Sequence, residues 1–108
     1  MKQIVVPLSP AAMHRLDLDQ CLPGDLEQCS LSTEHYQQLW DSGLIERLNR
    51  QLGCLIDEHE DASIQGAEAL ATAQALIEQT PLAPALKTSL LQLTTLARAK
   101  ASGLFFYF

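Results

Sequence analysis

The sequence predicts a mainly α fold of the α+β class, four to five helices packed on a small sheet formed by its N-terminal and C-terminal strands, in a single domain over residues 1–108. Three observations predict it. Apolar residues recur at helical spacing through the middle of the chain, a β-branched run stands near its start, and four of its six aromatic residues close it. With 47% hydrophobic residues in 108, the chain can bury a core without metal or disulfide staples.

Ile4-Val5-Val6 stops at Pro7, which marks residues 2–6 as a short strand with the proline at an edge or strand end. Ser9-Pro10 has the form of an N-cap and first helical residue, opening a short helix to about Leu16. Asp17 to Ser32, with Pro23-Gly24 inside it, reads as a long irregular connection of the kind that often carries function. Ser32 or Thr33 caps a helix with Tyr36, Leu39 and Trp40 on one face, ending or bending at Gly43. Leu44, Ile45, Leu48, Leu52, Leu55 and Ile56 then continue a core helix to about Glu58. After a polar break at Glu60–Ser63, an Ala-rich helix is expected over Ile64–Gln79, closed by Thr80-Pro81. Pro84 starts the next helix, whose Leu86, Leu90, Leu93, Leu96 and Ala97 share a side; Gly103 is placed to cap it. The aromatic stretch Leu104–Phe108 favours a strand, and pairing it with residues 2–6 satisfies the backbone of both.

Charge is segregated along the chain. All thirteen acids lie between Asp17 and Glu78, where Arg47 and Arg50 are the only basic residues, while Lys2, Arg15, Lys87, Arg98 and Lys100 stand on the flanks. Such a field repels nucleic acid and anionic lipid and steers a basic protein inward. No run approaches the ~18 residues needed to span a bilayer, and the first residues do not form a signal peptide, so a cytoplasmic protein with no membrane partner is expected. Cys21, Cys29 and Cys54, odd in number and without CxxC spacing, fit a reducing compartment; Cys54 falls on the apolar face of the expected core helix, as a buried thiol does.

The densest polar cluster, Asp57-Glu58-His59-Glu60-Asp61, falls at the C-terminal end of that expected helix, where like charges and the helix dipole oppose it. It reads as a solvated acidic loop or as a functional surface. One functional form is a metal site on Asp57, His59 and Asp61, but the EF-hand glycine and the second histidine of HExxH are missing, and no cofactor is expected. The other is electrostatic mimicry, in which carboxylates fill a basic cleft that normally receives phosphates. Asp17, Asp19, Asp25 and Glu27 in the irregular connection extend that surface to eight residues: these four with Asp57, Glu58, Glu60 and Asp61. His14, His35 and His59 have no nucleophile beside them, and no GxSxG, phosphate loop or Walker pattern occurs, so no catalytic residues are assigned and an enzyme is not expected. Gly43 separates two helices as in a helix-turn-helix, but there is no positive charge between Arg15 and Arg47 to meet phosphates.

In size, acidity and mixed helical build, the chain resembles the small bacterial immunity proteins that neutralise a cognate toxin, including those of contact-dependent growth inhibition. The resemblance rests on general character and assigns no residue. It implies a non-enzymatic inhibitor that occludes the active site of a basic, nuclease-type toxin domain. The alternatives are a structural or regulatory adaptor docking through Trp40 or Phe105–Phe108, and a small metal-dependent enzyme built on His59.

Overall fold

The computed structural model describes residues 2–108. Its centre is the antiparallel ladder between β1 (Gln3–Pro7) and β4 (Gly103–Tyr107), with Gln3 opposite Tyr107 and Val5 opposite Phe105. The two ends of the sequence thus pair as expected. The sheet is larger than those two strands, however. β2 (Leu26–Ser30) joins the outer side of β1 and β3 (Asp61–Gln65) the outer side of β4, giving the order β2-β1-β4-β3 with every neighbour antiparallel.

The two outer strands correct two expectations. The connection from Asp17 to Ser32 is irregular only as far as Asp25, and Ile64 begins no helix but is the one buried residue of β3. Both strands are polar because each lies at an edge, where half its side chains meet water and few carry apolar signal.

The pleat sorts the side chains. Ile4, Val6, Leu104, Phe106 and Ile64 enter the main core, while Val5, Phe105 and Tyr107 take the other face. α1 (Pro10–Asp17) packs on that second face, with Ala12 only 1% exposed. Backbone direction alternates too. Leu31 N–H donates to the Lys2 carbonyl at 2.9 Å and Leu8 N–H to that of Asp25 at 2.8 Å, so even-numbered residues of β1 bond to β2 and odd-numbered ones turn toward β4. Pro7, at the strand end, therefore aims its missing donor away from β2. Carried across the sheet, the same alternation turns Ala62 and Ile64 toward β4 and leaves the N–H and C=O groups of Asp61, Ser63 and Gln65 pointing out of the free edge.

Four helices cover the first face: α2 (Thr33–Asp41), α3 (Leu44–Leu52), α4 (Ala67–Gln79) and α5 (Pro84–Ala99). Ser32 caps α2 by accepting the His35 N–H at 3.0 Å. Leu39, Leu44, Ile45, Leu48, Leu70, Ala73, Leu86, Leu90 and Ala97 close over Ile4, Val6, Leu104 and Phe106. α3 is shorter than its apolar spacing predicts, because Gly53 adopts φ 65° and turns the chain out of the helix. Leu55 is consequently 77% exposed, and Cys54 lies beyond the helix rather than on its face.

α5 also ends differently from expectation. Ser102 N–H bonds the Ala97 carbonyl and Ala101 N–H that of Arg98, a Schellman closure in which Ala101, not Gly103, takes the left-handed conformation at φ 50°. Gly103 has another role. A Cβ there would lie 2.7 Å from the Ile64 carbonyl oxygen, so only glycine lets β4 approach β3. The left-handed region costs an alanine on the order of 1 kcal/mol relative to glycine. Ala101→Gly is therefore expected to raise unfolding stability by about that amount, read as a higher urea midpoint at unchanged slope.

Candidate protein-binding surface

The acidic cluster lies on a turn, not on a helix end, so the opposition from the helix dipole expected at Asp57–Asp61 does not arise. Glu60 N–H faces the Asp57 carbonyl at 3.4 Å, the Asp57 carboxylate accepts the Glu58 N–H at 2.8 Å, and His59 takes φ 65° at the third position of the turn. All five side chains are exposed. Lys2 is the counter-charge: its Nζ lies 3.5 Å from Glu58, donates to the Phe108 carbonyl at 2.5 Å and sits 5.0 Å from the Tyr36 ring centre. Asp61 then enters β3 directly opposite Tyr107.

Asp17 and Asp19 reach the same region from the end of α1, about forty positions earlier in the sequence. α1 crosses the second face of the sheet until Leu16 and Asp17 border β3, enclosing a hollow of about 290 Å³ with Asp61, Ser63, Phe105 and Tyr107. The helix ends there in a second Schellman closure, Gln20 N–H to the Arg15 carbonyl and Asp19 N–H to that of Leu16, with Asp19 at φ 56°. Burial pushes the Tyr107 phenol pKa up, and the nearby carboxylates of Asp61 and Asp19 push it further.

The other two predicted residues are elsewhere. Asp25 is buried and receives Arg15 in a fork, Nε to Oδ2 and Nη2 to Oδ1 at 2.7 Å each, with the Leu22 N–H as a third donor at 2.8 Å. These bonds hold its pKa at about 2 and fix the return of the chain from α1 to β2. Glu27 is exposed on β2, the opposite edge of the sheet, beside Gln28, Cys29 and α5. Of the eight predicted carboxylates, Asp57, Glu58, Glu60 and Asp61 form the turn and start of β3, Asp17 borders the strand, Asp19 follows two residues later near Tyr107, and Asp25 and Glu27 lie apart.

Asn49 is a positioning residue that its sequence context does not reveal. From the second turn of α3 its side-chain amide donates to the Ile56 carbonyl at 3.0 Å while its Oδ1 accepts the Ile56 N–H at 2.8 Å, copying one rung of a β-ladder. Ile56 is thereby seated at 2% exposure, and the acidic turn follows at a fixed height above the sheet. The Cys54 thiol donates to the same Oδ1 at 3.4 Å and to the Leu48 carbonyl at 3.6 Å; partial burial raises its pKa, as it does that of Cys29.

Among the described residues no group of three or more His, Cys, Asp and Glu is placed to hold a metal ion, and His59, 82% exposed, meets only Glu58, at 3.8 Å. Trp40 packs against the core and edge-on to Tyr36, which in turn meets Phe108 edge-on; Phe106 and Phe108 are buried. Among the described residues, the large hydrophobic side chains left in solvent are Leu18, Leu22 and Leu55. Among the described residues no helix is long and apolar enough to cross a membrane. No protein family, curated protein or solved structure matches the chain.

Two substitutions check the supports of this surface. Asp25 has its pKa depressed from 3.8 to about 2, so its share of stability is complete above pH 5 and is lost as pH falls through that interval. Asp25→Asn is accordingly expected to unfold at lower denaturant than the parent at neutral pH, with the difference narrowing toward pH 2 in a pH series of urea melts. Asn49→Ala removes two bonds to the Ile56 backbone and is expected to cost about 2 kcal/mol, with faster hydrogen exchange at the Ile56 amide.

Proposed function

We propose that the chain is a non-enzymatic binding protein of the immunity or inhibitor type, which neutralises a basic, nuclease-type partner by covering its active site with the acidic surface around β3. The observation that carries this reading is the gathering of Asp17 and Asp19 with Asp57, Glu58, Glu60 and Asp61 on one side of the molecule, opposed locally by Lys2. Carboxylates held on a helix end, a pinned turn and a strand form a rigid array, which costs little ordering entropy on binding. A basic groove built to receive successive phosphates presents Arg and Lys donors to which such an array offers charge-assisted hydrogen bonds. Complementary fields would speed encounter, and a few close contacts would complete affinity.

The residues allow a test that spares the fold. Asp19→Asn keeps a side chain that tolerates the left-handed conformation, and Asp17→Asn, Glu60→Gln and Asp61→Asn are isosteric at exposed positions. The fourfold variant should melt like the parent. Its association with a basic partner captured from the native host should slow by about ten- to a hundredfold at low ionic strength, with the gap closing in high salt. Equal rates and equal salt dependence for parent and variant would remove the acidic surface from the interface.

A further inference from the structure

The free edge of β3 lies between two grooves of different chemistry. On the helical side, all five residues of the strand border a cavity of about 510 Å³ whose far wall is Leu52, Cys54, Leu55 and Ala69, with Glu60 also at its border. On the α1 side, Asp61, Ser63 and Gln65 border the hollow that contains Asp17 and Tyr107. Between these grooves, the outward N–H and C=O groups of Asp61, Ser63 and Gln65 form an edge of regular spacing that no other described strand pairs. Leu55 stands over the first groove with 77% of its surface in water, although it is among the largest apolar side chains of the segment.

We propose that β3 is a strand-addition site, and that the segment it takes is an extended stretch of a partner protein in which apolar and basic residues alternate. The sheet supplies the reason for the alternation. A strand added beside β3 points successive side chains to opposite faces, so one set meets the Leu52, Leu55 and Ala69 wall of the first groove while the other meets Asp17 and Asp61. Backbone bonds from Asp61, Ser63 and Gln65 hold the segment, and the two grooves select its sequence. The site deepens the function proposed above, resting on it for the basic character of the partner. The acidity of the chain also disfavours a second copy as occupant, since β3 of one molecule would bring its own carboxylates to those of the other.

The probe is a synthetic peptide alternating valine and lysine, with three controls: the same composition in two blocks, a valine–glutamate alternation, and versions N-methylated on one or the other set of alternate residues. The alternating basic peptide is expected to bind the whole chain and to protect the amides of Asp61, Ser63 and Gln65 from hydrogen exchange. The block and acidic peptides should bind at least about tenfold more weakly, and N-methylation should abolish binding on one alternate set and spare it on the other. Ser63→Pro removes an outward donor on an edge strand, where proline is tolerated, and should weaken the peptide about tenfold. If that variant unfolds, the methylated peptides give the same answer without touching the protein. Equal binding of block and alternating peptides, protection confined to β2, or self-association in sedimentation that involves β3 would each overturn the proposal. The two readings separate cleanly on a captured partner. Loss of its binding in the fourfold carboxylate variant with none in a folded Ser63→Pro sinks strand addition alone; the opposite result sinks the acidic surface together with the basic half of the alternation, and leaves only backbone pairing at β3.

Discussion

Pairing between β1 and β4 is the interaction on which the other parts of the molecule rest. Ile4 and Phe106 stand opposite each other in the middle of the sheet, both buried, and among the described residues the edge strands pair only with β1 and β4. α2 to α5 close over the apolar side of that ladder, while α1 takes the other side and covers Val5. Lys2 shows how closely the acidic turn depends on the ladder: the residue that precedes β1 holds both the carbonyl of Phe108 and the carboxylate of Glu58.

Two polar clamps then convert a helical core into a surface of defined shape. Arg15 and Asp25 close the excursion of the chain between β1 and β2, so that α1 lies across the sheet and ends beside β3. Asn49 bonds the Ile56 backbone from the opposite side, setting the loop between α3 and β3. Neither clamp is in the acidic array, yet both determine which carboxylates share it. This is why Asp25, which in the sequence is one acid among several, has a structural role while Asp17 and Asp19 remain free for solvent.

Much of the fold is legible in the sequence where burial is complete. Ile4-Val5-Val6 and the aromatic run have strand chemistry, Ser9-Pro10 and Ser32 have capping chemistry, and α5 carries its leucines at regular intervals. Edge strands defeat the same reading. Leu-Glu-Gln-Cys-Ser and Asp-Ala-Ser-Ile-Gln acquire strand character from a neighbour far away in the sequence, and their own residues report mainly solvent. At the end of α3 the pattern misleads: Leu55 and Ile56 continue the helical spacing, but Gly53 and the amide of Asn49 exert stronger local control. The density of acids is visible in the composition; their convergence on Tyr107 depends on the crossing of α1 and the register of β3, which no local pattern encodes.

The position of the β1–β4 ladder has a kinetic consequence. Its partners are separated by roughly a hundred residues, so the contact that organises the sheet is also the one with the greatest loop-closure entropy. The helix pair α4–α5, local in sequence and densely packed, forms at far lower entropic cost and gives β1 and β4 a surface on which to meet. β3 and β4, roughly forty residues apart, close a shorter loop and can pair without that meeting. Until β4 pairs with it, β3 has two open edges instead of one, and the exposed carboxylates at its start disfavour pairing with the wrong molecule.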